Sequence, residues 1–198
     1  MTTRILLAGV LGGIAMFVWT SIAHMVLPLG EAGVSEIPQE PTVLSALHSS
    51  IGERPGLYVF PGFGLGPNPS HAAKSEAMKH MDEKLARNPS GLLMYYPAGS
   101  RPLHLGSLLA TEFATELIEA LLVVFLLSLT RLATFGSQLG FVVAAGFLAA
   151  IATNISYWNW YGFPGVYTAA YMFTQIVGFL CVGLVAAFVF RNRTLALA

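Results

Sequence analysis

Charged side chains are scarce in this sequence: 10% of its 198 residues are Asp, Glu, Lys or Arg, where a soluble domain carries roughly a quarter. That scarcity argues against a water-soluble globule. Ten Lys and Arg balance ten Asp and Glu, so there is no basic field to neutralise phosphates, and nucleic acid is not an expected partner. A single cysteine, Cys181, excludes an internal disulfide and any multi-cysteine metal site. Catalytic signatures are missing as well: there is no G-x-S-x-G, H-E-x-x-H, G-x-x-x-x-G-K-S/T or dinucleotide fingerprint. The sequence names no cofactor.

What is abundant is apolar length, since 55% of the residues are hydrophobic. Crossing a hydrocarbon core takes about 20 residues of helix. Four stretches meet that need: Ile5 to Leu27, Leu105 to Thr130, Phe135 to Ile155 and Val166 to Phe190. The expected fold is therefore an all-α transmembrane four-helix bundle with a lipid bilayer as its surroundings. Arg4, Arg131, Arg191 and Arg193 mark the short polar ends with no acid beside them, which places both termini in the cytoplasm by the positive-inside rule. Arg4, the apolar run and the small residues Ser21 and Ala23 also suit a signal peptide; the run has span length, so an uncleaved anchor is expected.

Residues 28–104 then form one extracytoplasmic segment, between transmembrane helix 1 in residues 1–27 and helices 2 to 4 in residues 105–198. The segment has the punctuation of an ordered α/β cap rather than a flexible linker. Glu40-Pro41 opens a helix with Val43, Leu44, Leu47 and Ile51 on one side and Gly52 as its stop. Asn68-Pro69 opens a second, running to about Arg87, with Ala73, Ala77, Met81 and Leu85 as a stripe facing a core. Gly56 to Pro61 and Gly91 to Pro97 read as strands, and a helix between them predicts a parallel pair.

The aromatic run Tyr157 to Tyr161 is expected between the third and fourth spans, as an interfacial belt. Gly9 with Gly13, and Gly136 with Gly140, are small-xxx-small pairs that allow close helix packing inside the bundle.

The strongest chemical signal is Glu112, Glu116 and Glu119, spaced so that their carboxyls share one stripe of the second span. Only fourteen residues separate Leu117 from Thr130 inclusive, or ~21 Å of helix against a core about 30 Å thick. Some of the acids must therefore lie inside the membrane. Central acids cost on the order of 2.5 to 3.5 kcal/mol each, so they must turn away from lipid toward a bundle interior or a wet cavity.

Counting spans from their arginine markers sets His24, Glu112, Asn154 and Tyr171 at one level, with Thr20, Glu116 and Gln175 a turn deeper and Glu119 deeper still. These eight residues predict an outward-opening polar pocket. A cation, a proton or a small ligand is the expected occupant, and an interhelical hydrogen-bond network is the competing role for the same acids. A metal site from His24, His104 and Glu112 is a sharper variant.

The strings Trp19 to Gly30 (W-T-S-I-A-H-M-V-L-P-L-G), Gly56 to Gly62 (G-L-Y-V-F-P-G) and Ser156 to Pro164 (S-Y-W-N-W-Y-G-F-P) resemble a family of small bacterial four-span inner-membrane proteins without established activity. That resemblance implies location and topology, and assigns no catalytic residue. The leading expectation is thus a noncatalytic binding or accessory membrane protein, with a membrane-protein partner or a second copy as its possible neighbour. The alternative is an enzyme or proton-coupled carrier using Glu116 and Glu119 for proton transfer.

Overall fold

The computed structural model describes residues 2–191, so Arg193 lies outside the described residues. The described residues are mostly helical with one two-stranded sheet, and they divide into two compact units, one holding residues 2–35 and 104–191 and the other residues 36–103.

The larger unit holds the long helices: α1 (Thr2–Met25), α5 (Leu105–Ser128), α6 (Phe135–Ala150) and α8 (Gly165–Phe190). Between Ala150 and the short helix α7 (Ser156–Tyr161), residues Ile151–Ile155 form a π-helical turn. The sequence predicts a span ending near Ile155, yet the helix continues through that turn to Tyr161. The aromatic run is therefore helical rather than a loop, and Gly162 stops it with a left-handed backbone at φ 70°.

Among the described residues, three helical stretches are long and apolar enough to cross a membrane: Thr3–Met25, Phe135–Tyr161 and Gly165–Phe190. The α5 helix has comparable length, 24 residues. It differs because every 18-residue stretch of it contains Glu112, Glu116 and Glu119.

In this unit α1 packs between α5 and α8, and α8 between α1 and α6, while α5 meets α6 and α8 only sparsely. Each of the three intimate interfaces is built at glycine, because a missing Cβ lets helix backbones close together. A Cβ on Gly13 would lie 2.9 Å from Leu117 Cα on α5, and one on Gly12 3.1 Å from Val182 Cγ1 on α8. On α6, a Cβ at Gly146 would meet Phe179 Cβ at 2.5 Å. Gly9 joins Gly13 in this role, against Leu121. Gly136 and Gly140 do not: a Cβ at either would meet nothing within 4 Å, so the second small-residue pair lies on an open face rather than inside the bundle.

Packing is tightest at one end. Ala8, Ala120, Val124, Val142, Val182 and Ala186 are all fully buried there, with Leu127 and Phe190 beside them. The outer faces stay apolar, as on α5, where Ile118 is 56% and Phe125 50% exposed. In water such a surface would drive aggregation, whereas acyl chains match it. Residues 28–35 belong with this unit, and Gly33 (φ 76°) sits so close to the Tyr167 backbone that a Cβ would lie 3.1 Å from its nitrogen.

The smaller unit contains α2 (Glu40–Ile51), β1 (Gly56–Phe60), α3 (His71–Lys79), α4 (Met81–Arg87) and β2 (Gly91–Tyr95). The strands pair antiparallel, Gly56 opposite Tyr95 and Phe60 opposite Gly91, which overturns the parallel expectation. The crossover rule fixes the hand of a parallel connection but does not compel one. Here the ten residues Pro61–Ser70 and a break in the following helix give the chain slack to enter the second strand from the opposite end, and antiparallel pairing is the stronger form.

The break falls at His80, dividing the single helix expected to Arg87 into α3 and α4. Lys79 ends one helix while Asp82 and Glu83 begin the next, each charge complementing its helix terminus. The expected core is also thin. Ala73, Ala77 and Met81 are only half-buried, Leu85 and Leu44 are exposed, and none of the three helices buries a residue. Directed polar contacts supplement packing: Lys84 Nζ donates to Gly62 O and Phe63 O, and the Tyr95 hydroxyl to Gly52 O.

Candidate functional site

Where the close-packed end of the large unit gives way to the other half of its helices, a cavity of about 550 Å³ opens. Its lining comes from the C-terminal part of α1, the N-terminal part of α5, the π-helical turn and the N-terminal part of α8. Its location follows from the packing order, since α5 makes so few contacts with α6 and α8.

Glu116 is the deciding residue. It is 3% exposed, yet it lines this cavity. Thr20 on α1 donates its hydroxyl to Glu116 Oε1 at 2.5 Å. The second oxygen, Oε2, is buried without a hydrogen-bond partner. A buried carboxyl oxygen left unmatched is costly, and the open volume beside it is where a donor can be supplied. One helical step above and below, Glu112 is exposed and Glu119 half-buried, and both line the same cavity.

The apolar periodicity of α5 aims this stripe. Ala120, Val123, Val124 and Leu127 are buried, and Ile118, Leu122, Phe125 and Leu126 are exposed on the outer side. Glu116, one turn before Ala120, is thereby carried inward.

His24 completes the wall on α1. Its Nδ1 lies 2.9 Å from Thr20 O, and since a carbonyl can only accept, Nδ1 carries the proton. The ring stands edge-to-face on Tyr171, centroids 5.8 Å apart, and Tyr171 stacks on Tyr167 at 4.3 Å. Across the cavity Asn154 donates to Gln175 Oε1 at 3.4 Å and back to Ala150 O at 3.0 Å. The π-helical turn brings Asn154 and its neighbour Thr153 to the lining. Such turns are often found at functional sites.

The structure thus gathers Thr20, His24, Glu112, Glu116, Glu119, Asn154, Tyr171 and Gln175 around one cavity. It leaves out His104, which precedes the first turn of α5 and accepts the Ser107 hydroxyl on its carbonyl. Among the described residues no three of His, Cys, Asp and Glu form a group able to hold a metal ion, so His24, His104 and Glu112 do not make one.

Sequence reasoning missed the apolar half of the lining: Met16, Phe17 and Met25 on α1 and Leu108 and Leu109 on α5. For all of these but Met25, a spacing of three or four residues from Thr20 or Glu112 was the available signal. It also missed the tie between α1 and α8 in which Trp19 Nε1 donates to Thr174 O at 2.8 Å.

No family model, curated protein or solved structure matches the chain. What the site does has to be read from its own chemistry.

Proposed function

We propose that this chain is an integral membrane protein, a four-span bundle, that binds a cation or a small hydrogen-bond-donating ligand in an acidic pocket between its helices. Three helices have the length and apolarity of spans, and α5 supports a fourth by hiding Glu116 while presenting Ile118, Leu122 and Phe125 outward. Arg4, Arg131 and Arg191 lie at the close-packed end, which argues for that end facing the cytoplasm and for the pocket opening on the opposite side. A bacterial inner membrane is the setting consistent with this arrangement.

One observation carries the ligand-binding reading: Glu116 Oε2 is buried and unpartnered at a cavity large enough for an organic molecule. A carboxyl retained only to fasten helices would be expected to satisfy both oxygens among its neighbours. Intramembrane carboxyls facing a cavity are functional sites by default.

Native mass spectrometry of the purified full chain and of Glu116→Gln tests this. A bound mass kept by the parent protein and lost by a variant that melts normally supports the pocket. No bound mass, together with a large loss of melting temperature in Glu116→Gln, replaces it with an interhelical fastening role. A stoichiometric protein subunit and no small molecule would favour an accessory role in a larger complex.

A further inference from the structure

The same cavity carries a narrower statement, which rests on the ligand-binding reading above. We propose that its ligand is an organic ammonium compound: a protonated amine on an apolar body, with no anionic group close to the nitrogen.

Size argues first. A cavity of about 550 Å³ falls within the roughly 300–1,000 Å³ of small-molecule sites and far exceeds the ~30 Å³ that one water occupies in liquid. A bare ion would leave most of it unfilled. The ligand geometry of a metal is also missing, since no group of three suitable side chains exists among the described residues.

Charge argues second. Glu112, Glu116 and Glu119 line the cavity, with His24 as the one basic side chain among the described lining residues. An anionic ligand would add charge of the same sign beside three acids in weakly screening surroundings, whereas a cation complements them. An ammonium supplies N–H donors, and Glu116 Oε2 is the buried acceptor still needing one; that hydrogen bond, assisted by charge, is of the strong kind.

The walls argue third. Met16, Phe17, Leu108 and Leu109 offer an apolar surface, and the three glutamates an acidic one. An apolar body beside a cationic nitrogen fits both surfaces.

The absence of Lys and Arg from the lining excludes two common amines. An amino acid, and the ethanolamine headgroup of a phospholipid, each carry an anionic group a few bonds from the nitrogen. That group would be set among the carboxyls with no Lys or Arg among the described lining residues to receive it. The ligand is accordingly a simple ammonium and not a zwitterion.

The test uses the full chain in phosphatidylcholine nanodiscs, titrated calorimetrically with 2-phenylethylammonium and 4-phenylbutylammonium. Phenylalanine, 4-phenylbutanol and zinc ion are run beside them, and the phenylbutylammonium titration is repeated in discs containing phosphatidylethanolamine. The expected result is saturable binding of at least one ammonium, weakened on the order of tenfold or more in Glu116→Gln. Phenylalanine and the alcohol should not bind over the same range, and phosphatidylethanolamine should not compete.

Equal binding of the alcohol, tight zinc binding lost in Glu116→Gln, or competition by phosphatidylethanolamine would each overturn the ammonium assignment while leaving a ligand pocket in place. If no probe binds, the ammonium assignment falls; if in addition no mass is retained in native spectra, the pocket reading falls with it. Should Glu116→Gln not fold, exposed Glu112→Gln serves instead: weaker ammonium binding with unchanged melting supports the proposal, and unchanged affinity overturns it.

Discussion

Thr20 on α1 and Glu116 on α5, separated by 96 positions in the chain, meet through a hydroxyl-to-carboxyl hydrogen bond of 2.5 Å. Glycines make this meeting possible. Gly9 and Gly13 bring α1 against Leu121 and Leu117 of α5, and the polar pair lies in the same interface, Thr20 two turns beyond Gly13 and Glu116 next to Leu117. Small residues set the distance between the helices, and the hydrogen bond uses it.

The first prediction concerns the donor. Thr20→Val keeps the shape and removes the hydroxyl, leaving both oxygens of Glu116 without a partner. A loss of about 1 to 3 kcal/mol is expected, measured by equilibrium unfolding in detergent. Thr20→Ser should recover most of it. Equal stability of the Val and Ser variants would show that the contact contributes nothing.

A second prediction contrasts two glycines of α6. In Gly146→Ala the new Cβ would fall 2.5 Å from Phe179 Cβ and 2.9 Å from its Cγ, so α6 and α8 must separate and the melting temperature should drop. Gly140→Ala meets open space and gains helix propensity, with an expected stabilisation of up to about 1 kcal/mol. Thermal melts of the two variants decide the matter; a destabilised Gly140→Ala would mean that this open face is covered by a partner helix.

The line between what could be read in advance and what could not follows the range of the interactions. The existence of the long helices, the carboxyl stripe and the gathering of His24, Glu112, Asn154 and Tyr171 at one cavity follow from local periodicity. The stop at Gly52 and the strand bounds near Gly56 and Gly91 follow from local backbone preferences, and they too were legible. The antiparallel pairing of Gly56 with Tyr95 depends on the path of a 30-residue connection, which no local pattern encodes. The use of Gly13 but not Gly140 depends on which helix arrives opposite. The π-helical turn at Ile151–Ile155 has no composition of its own. The break at His80 did leave a trace, in Lys79 followed by Asp82 and Glu83.

The third prediction addresses the bond from Trp19 Nε1 to Thr174 O, 2.8 Å long, which ties α1 to α8 beside the cavity. Trp19→Phe retains an aromatic ring against Phe173, edge-to-face with Trp19 at 6.2 Å, and removes the donor. A cost of about 0.5 to 1.5 kcal/mol is expected. Trp19→Leu should cost more, because the ring contact goes as well. Unfolding midpoints that rank the two variants in the opposite order would assign the stability to something other than this tie.

The last prediction asks whether α5 crosses the membrane, since the proposed pocket depends on it. Between Glu53 and Ala133, both exposed, the long apolar helix is α5 alone. If α5 spans, these positions lie on opposite sides; if it does not, they share one. The energetics favour crossing. Fourteen Leu, Ile, Val and Phe residues from Leu105 to Leu129 return about 0.3 to 0.6 kcal/mol each on insertion, or roughly 4 to 8 kcal/mol together. Acids facing lipid near the centre would cancel that gain, but Glu116 is buried against Thr20 and Glu112 sits nearest the helix start. In a Cys181→Ala background, Glu53→Cys should react with a membrane-impermeant maleimide on intact bacterial cells whose outer membrane admits the reagent. Ala133→Cys, beside Arg131, should react only once the inner membrane is opened. Labelling of both positions in intact cells, or of neither, would place α5 outside the set of spans and remove the proposed intramembrane pocket.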